Sequence, residues 1–105
     1  MVVRSWRGHA KAENVAAYVA HAKTRVFPHL HELAGFRGAV LMHRPEGDEV
    51  EITVQTFWES LDHIRAFTGA DISIAVVEPA ARAVLSRFET VARHYTVAET
   101  TGLAS

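Results

Sequence analysis

The chain contains no cysteine, which excludes a disulfide staple, a thiolate zinc site and a cysteine nucleophile. It also lacks an excess of charge of either sign: 11 Lys and Arg stand against 12 Asp and Glu, a formal net charge of −1. Without a basic field to hold a phosphate backbone, neither nucleic acid nor an anionic membrane is an expected partner. No apolar run approaches the roughly 20 residues that a membrane-spanning helix needs. The opening Met1-Val2-Val3-Arg4-Ser5-Trp6-Arg7 lacks the apolar core of a secretion signal, so the expected address is cytoplasmic. No glycine-rich phosphate loop or serine, histidine and acid arrangement is visible. No metal site is expected either, despite seven histidines. His29 and His31 stand two apart on an expected helix, about 200° apart around its axis.

What is present is an ordinary globular composition, 49% hydrophobic and 22% charged over 105 residues, room for one domain. Val2 to His9 alternates like a first strand. From Ala12 to Leu33, apolar residues at Val15, Val19, Ala22, Val26, Leu30 and Leu33 form one stripe of a long amphipathic helix. Pro28 falls inside it and predicts a kink or an early end. Gly35 supplies a helix stop, Phe36 to Arg44 reads as a second strand, and Pro45-Glu46-Gly47-Asp48 is the turn. Glu49 to Trp58 alternates most cleanly, with Val50, Ile52, Val54, Thr56 and Trp58 on one face. Ser60 suits the N-cap of a short helix carrying Leu61, Ile64 and Phe67 inward, and Gly69 ends it. Asp71 to Val77 is ambiguous. Pro79 opens another short helix, Ala80 to Ser86, and Phe88 to Ala98 is the last strand. The expected organisation is one domain over residues 1–98 with a loose tail over 99–105.

Strand, helix, strand, strand, helix, strand is the ferredoxin-like βαββαβ order, an α+β fold with its helices on one face of an antiparallel sheet. The other face stays bare, and Val40, Met42, Val91, Tyr95 and Val97 set against Ala39, Leu41, Phe88 and Ala92 put apolar groups on both. Leaving one set in water costs roughly 25 cal/mol per Å² of apolar area. A second copy is the natural cover, giving a homodimeric α/β barrel. The alternative is a monomer whose outer face is half polar through Glu49, Glu51, Thr53 and Gln55.

The stretch Thr56-Phe57-Trp58-Glu59-Ser60-Leu61-Asp62-His63-Ile64-Arg65-Ala66-Phe67-Thr68-Gly69 resembles the antibiotic-biosynthesis monooxygenase-like family of dimeric α/β barrels. Arg4-Ser5-Trp6-Arg7-Gly8, Tyr18, Gly47-Asp48-Glu49-Val50-Glu51 and Arg93-His94-Tyr95-Thr96-Val97 extend the resemblance over nearly the whole chain. It implies a homodimer, a pocket between sheet and helices in each subunit and, in some members, cofactor-free oxygenation of aromatic polyketide-like compounds. Members also include heme-degrading enzymes and polyketide cyclases. Trp58 matches the strand-end tryptophan of the heme-degrading branch, but Thr68 stands where its iron-binding histidine belongs, and the first strand lacks its asparagine. Heme degradation is therefore not expected.

Within that frame His94 is the first candidate for acid/base work, since imidazole titrates near physiological pH; the competing role is to satisfy a buried backbone group or meet solvent at the dimer edge. Trp6 and Trp58, from neighbouring strands, could form an aromatic wall against a flat substrate or be plain core. Arg4 shares the face of Trp6 and could stabilise an oxyanion; otherwise it makes a surface or dimer salt bridge. Tyr18, His21 and Arg25 border the apolar stripe of the long helix, as a pocket rim or a solvated face. His63 has the same two readings. The expected function is a small-molecule-binding homodimer acting as a cofactor-independent monooxygenase on aromatic, polyketide-like phenols, with His94 and Trp58 catalytic and Trp6, Arg4, Tyr18 and His21 holding the substrate. No cofactor or metal is expected. The alternatives are a polyketide cyclase or isomerase, in which a histidine and a tyrosine enolise a ketone, and a ligand-binding dimer without catalysis.

Overall fold

A computed structural model describes residues 1–103; of the expected loose tail, the final two positions lie outside the described residues. The chain runs through β1 (Val2–Lys11), a helical stretch, β2 (Phe36–Glu46), β3 (Glu49–Trp58), α3 (Leu61–Thr68), α4 (Pro79–Arg82), β4 (Arg87–Phe88) and β5 (Arg93–Thr96). The helical stretch comprises a 3-10 turn (Ala12–Asn14), α1 (Val15–His21), a π-turn (Ala22–Val26) and α2 (Phe27–His31). The strands form one antiparallel sheet in the order β2-β3-β1-β4, with β5 also on β1. This is the ferredoxin-like arrangement that the sequence predicts. No helix among the described residues is long and apolar enough to cross a membrane.

The register decides what each strand offers the helices. Arg4, Trp6, Gly8 and Ala10 of β1 point inward and are buried, as are Ile52, Thr56 and Trp58 of β3. Pairing of Arg4 with Thr56 and of Arg4 with His94 brings these three side chains to one level of the sheet's helix-covered face. The core divides in two: Trp6, Ala10, Tyr18, Ile52, Ala81 and Ala92 at one end, Leu30, Trp58 and Ile64 at the other.

Pro28 leaves its mark one turn earlier than its own position. It has no N–H to give and its ring crowds the preceding turn, and the helix widens so that Phe27 N–H reaches back to the Ala22 carbonyl. The helix continues to His31, short of the predicted Leu33. Ser60 occupies the predicted N-cap position but makes no capping bond; its hydroxyl pairs with His63 Nδ1 at 2.8 Å. The turn between β2 and β3 tightens to Gly47-Asp48, with Gly47 at φ 60° and Pro45 and Glu46 drawn into β2.

The last strand departs most from expectation. It is broken between Phe88 and Arg93, where its register on β1 slips by two residues between the Gly8–Phe88 and Ser5–Arg93 pairs, and residues 73–75 bond the intervening backbone: Ala75 N–H to Thr90 O at 3.0 Å and Ala92 N–H to Ser73 O at 2.8 Å. Two further bonds, Glu89 N–H to Arg7 O at 3.0 Å and Trp6 Nε1 to Glu89 O at 2.8 Å, hold the bulge against β1. The helix predicted over Ala80 to Ser86 is correspondingly short, ending at Arg82.

The open face is apolar at one end and charged at the other. Val40, Met42 and Tyr95 are exposed there beside Val3 and Phe57. At the other end Arg44 donates to Glu51 at 3.1 Å, and Arg93 and Arg7 meet Glu89 at 2.8 and 3.3 Å.

Gly35 closes the turn between the long helix and β2 at φ 82°, and a Cβ there would fall inside the His63 ring. The left-handed backbone alone costs about 1–2 kcal/mol for a residue with a Cβ. Gly35→Ala is therefore expected to destabilise by about 2 kcal/mol or more, read as a lowered urea midpoint with an unchanged slope.

Candidate ligand pocket

A cavity opens between the sheet and the helical layer, where the two halves of the core meet. Arg4, Trp6 and Thr56 form its floor, Tyr18, His21, Val26 and Leu30 one wall, and Phe67 with residues 76–78 the other. Trp6 and Tyr18 stack with ring centroids 6.1 Å apart at 23°, an aromatic surface for a flat ligand.

Arg4 is the most unusual group in it. Its side chain is buried, 5% exposed, yet among the described residues no carboxylate pairs with it. The guanidinium donates from Nη1 to Ile72 O and to His94 Nε2 at 3.0 Å, and from Nη2 to Ile74 O at 2.7 Å, and lies over the Phe67 ring. Three of the five N–H donors of an arginine are thus used, leaving two for a ligand. Burial pulls the Arg4 pKa down to about 10, still protonated at neutral pH, and pushes the Tyr18 phenol up to about 12. Both shifts come from burial, the mark of a poorly hydrated site.

His94 stands behind Arg4 rather than on the cavity wall. Because the guanidinium has only donors, His94 Nε2 must accept, which fixes a neutral ring protonated at Nδ1. Burial first, and then the Arg4 charge, hold its pKa below the ordinary histidine value. A histidine that charges less readily folded than unfolded contributes stability that is present above its ordinary pKa and lost as pH falls through that value towards the lower folded one. Urea titrations are expected to show stability declining from neutral pH into this acid window, and a His94→Gln variant is expected to lose that part of the slope.

The structure brings Arg4, Trp6, Tyr18 and His21 together around one cavity. Trp58 does not join them. Although β1 and β3 are neighbours, Trp58 pairs with Val2, four residues from Trp6 and so about 13 Å further along the strand. It is fully buried, packs on Phe36 and Phe67, and donates Nε1 to Thr56 Oγ1 at 2.8 Å, reaching the cavity only through that threonine. Arg25 and His63 do not line the cavity. Thr56, Phe67 and Glu78 line it without having been anticipated; only the place of Glu78 before Pro79, at the start of α4, is a readable signal.

The cavity offers about 60 Å³ of free space, well short of the roughly 300–1,000 Å³ of a typical ligand pocket. A phenol ring therefore enters only if the segment over residues 69–76 shifts outward, and that segment is tied down by Arg4 itself through the Ile72 and Ile74 carbonyls. On the open face, His9, Glu46 and Glu51 converge closely enough to hold a metal ion. Arg7, Arg44 and Arg87 already form ion pairs with the two glutamates, which disfavours a cation there.

The profile of the family described as antibiotic biosynthesis monooxygenase matches residues 1–84. No curated protein matches the sequence. Among solved structures, a Bacillus cereus protein provisionally assigned as an antibiotic biosynthesis monooxygenase superposes with a TM-score of 0.67 at 11% identity, covering 100% of this chain and 98% of its own. SnoaB from Streptomyces nogalater, described as a cofactor-independent oxygenase, gives 0.57 at 15% identity, covering 94% and 95%. Rv0793 from Mycobacterium tuberculosis gives 0.58 at 16%, covering 96% and 98%. Identities this low carry the fold and leave the reaction open.

Proposed function

The chain belongs to the antibiotic biosynthesis monooxygenase family, and from that premise we propose that it binds a small electron-rich phenolic or anthrone-like compound in the Arg4 cavity and oxygenates it with O₂ without a cofactor. The observation that carries this reading is the buried guanidinium with no carboxylate partner and two N–H donors unspent. An ionised phenolic oxygen supplies the missing negative charge. Its ring lies against the Trp6 and Tyr18 stack, and the Tyr18 phenol, kept protonated by burial, is a further donor. The electron-rich anion reacts with O₂ directly. At an anthrone-like CH₂ carbon one oxygen atom is taken up, and the two hydrogens lost leave with the second oxygen as water.

In this reading His94 acts through Arg4 as a positioning residue, and its occupied lone pair is the reason for assigning it that part rather than direct proton abstraction. Trp58 likewise serves by packing beneath Thr56 and Phe67.

We further propose that two copies pack their open sheet faces together, covering Val40, Met42 and Tyr95. Met42→Glu would bury a carboxylate within that contact. Analytical ultracentrifugation is expected to find a dimer for the parent chain and a folded monomer for the variant; a parent chain that is monomeric at tens of micromolar contradicts the assembly.

Oxygen uptake by purified, metal-free protein over a panel of phenols and anthrones tests the reaction. Consumption of O₂ with a product heavier by oxygen is the expected result. A product of unchanged mass indicates a cyclase or isomerase, and tight binding without turnover indicates a ligand-binding dimer; either overturns the oxygenase reading.

A further inference from the structure

The reaction proposed above needs a group to take the phenolic proton, and the lone pair of His94 is already engaged by Arg4. His21 offers the opposite situation. It lies on α1 one turn beyond Tyr18, its side chain is only 10% exposed, and its Nε2 is buried with no hydrogen-bond partner. A folded chain rarely leaves such an atom unsatisfied without a use for it. This one lines the same cavity as Arg4, Trp6 and Tyr18.

A positive charge gained there would face a carboxylate. Glu78 Oε1 stands 3.7 Å from His21 Nε2, too long for a hydrogen bond to the neutral ring but close enough to stabilise an imidazolium. The position of Glu78 is built rather than incidental: its carbonyl accepts from Ala81 and Arg82, each at 3.0 Å, and Pro79 fixes the backbone that follows. Its side chain is 45% exposed, so its charge sits at the cavity mouth and stays hydrated until the neighbouring ring gains a proton.

We propose that His21 is the proton acceptor of this pocket and that Glu78 is the counter-charge for its protonated form. The step is a simple transfer. The phenolic O–H bond breaks, the electron pair stays on oxygen against Arg4, and a new N–H bond forms at His21 Nε2. Charge balances within the site: the guanidinium faces the new phenolate and the imidazolium faces the carboxylate, so no ion is left alone in a dry cavity. This rests on the reading that a phenol occupies the Arg4 cavity, but not on its reaction with O₂.

The test uses 4-nitrophenol, whose anion absorbs visible light and whose neutral form does not, at a pH where the free probe is mostly neutral. The parent protein is expected to bind it as the anion, and a weakly buffered solution carrying a pH dye is expected to show no proton released, since His21 retains it. His21→Gln is expected to lower the share of bound probe that is ionised at least tenfold. Glu78→Gln, a half-exposed position that disturbs no core packing, is expected to lower it severalfold and serves if the buried variant folds poorly. An unchanged anion share in both variants overturns the assignment, as does release of one proton per probe bound by the parent, which would make the ionisation the work of Arg4 alone. Should the parent ionise the probe in a His21-dependent way yet consume no O₂ with any anthrone, the oxygenase reading fails while the assignment of His21 stands.

Discussion

Arg4→Met is expected to lower kcat/KM for a phenolic substrate by about 10²–10³-fold, the range seen when one donor to a developing oxyanion is removed from a dry site. Methionine roughly fills the space of the arginine stem and removes the charge, the three hydrogen bonds and the two unspent donors together. The loss should be accompanied by faster amide exchange over residues 72–76, because the Ile72 and Ile74 carbonyls lose their tether. Arg4→Lys should recover little: an ammonium is a point charge with three donors, and it cannot bridge two carbonyls and a histidine while still facing a ligand. A methionine variant that turns over at the parent rate would show that the guanidinium serves only to pin the loop.

The largest effect on stability is expected at Trp58. Its side chain is fully buried, edge-on to Phe36 at 5.3 Å and stacked on Phe67 at 6.4 Å, in the same half of the core as Leu30 and Ile64. Truncation to alanine removes those contacts and leaves a cavity, at a cost of about 3–5 kcal/mol. For a chain of this size that corresponds to a fall in Tm of roughly 12–40 °C. Trp58→Phe should keep most of the packing and lose chiefly the bond to Thr56. Thermal unfolding followed by circular dichroism separates the two; a shift of only a few degrees for the alanine variant would mean that this half of the core can collapse around the gap.

The sheet was legible because each long strand announces its own face. The alternation from Glu49 to Trp58 names the inward set without help from tertiary structure, and the observed β3 has those bounds. Placing Arg4 beside Trp6 follows from the same period of two. The broken last strand was not legible. Its register on β1 slips by two residues and residues 73–75 bond the backbone at the slip, and neither event leaves a side-chain pattern to read. Trp58 and Trp6 illustrate a second limit: knowing that two strands are neighbours does not give their register, and an offset of four residues separates an aromatic wall from two separate core sites. His21 was visible as a rim residue, but its unsatisfied nitrogen and the approach of Glu78 depend on a loop conformation that only the three-dimensional arrangement reveals.

The cavity around Arg4 is expected to hold a phenolic oxygen as an anion. A crystal structure of the protein with a bound phenol or anthrone analogue tests it most directly. The expected result places the ligand oxygen within hydrogen-bond distance of Arg4, the ring against Trp6 and Tyr18, and residues 72–76 displaced outward from their present positions, with Glu78 still beside His21. A ligand seated instead in the groove between Val15, Val19 and Val50, or on the open sheet face, with Arg4 still closed over its loop carbonyls, would contradict it.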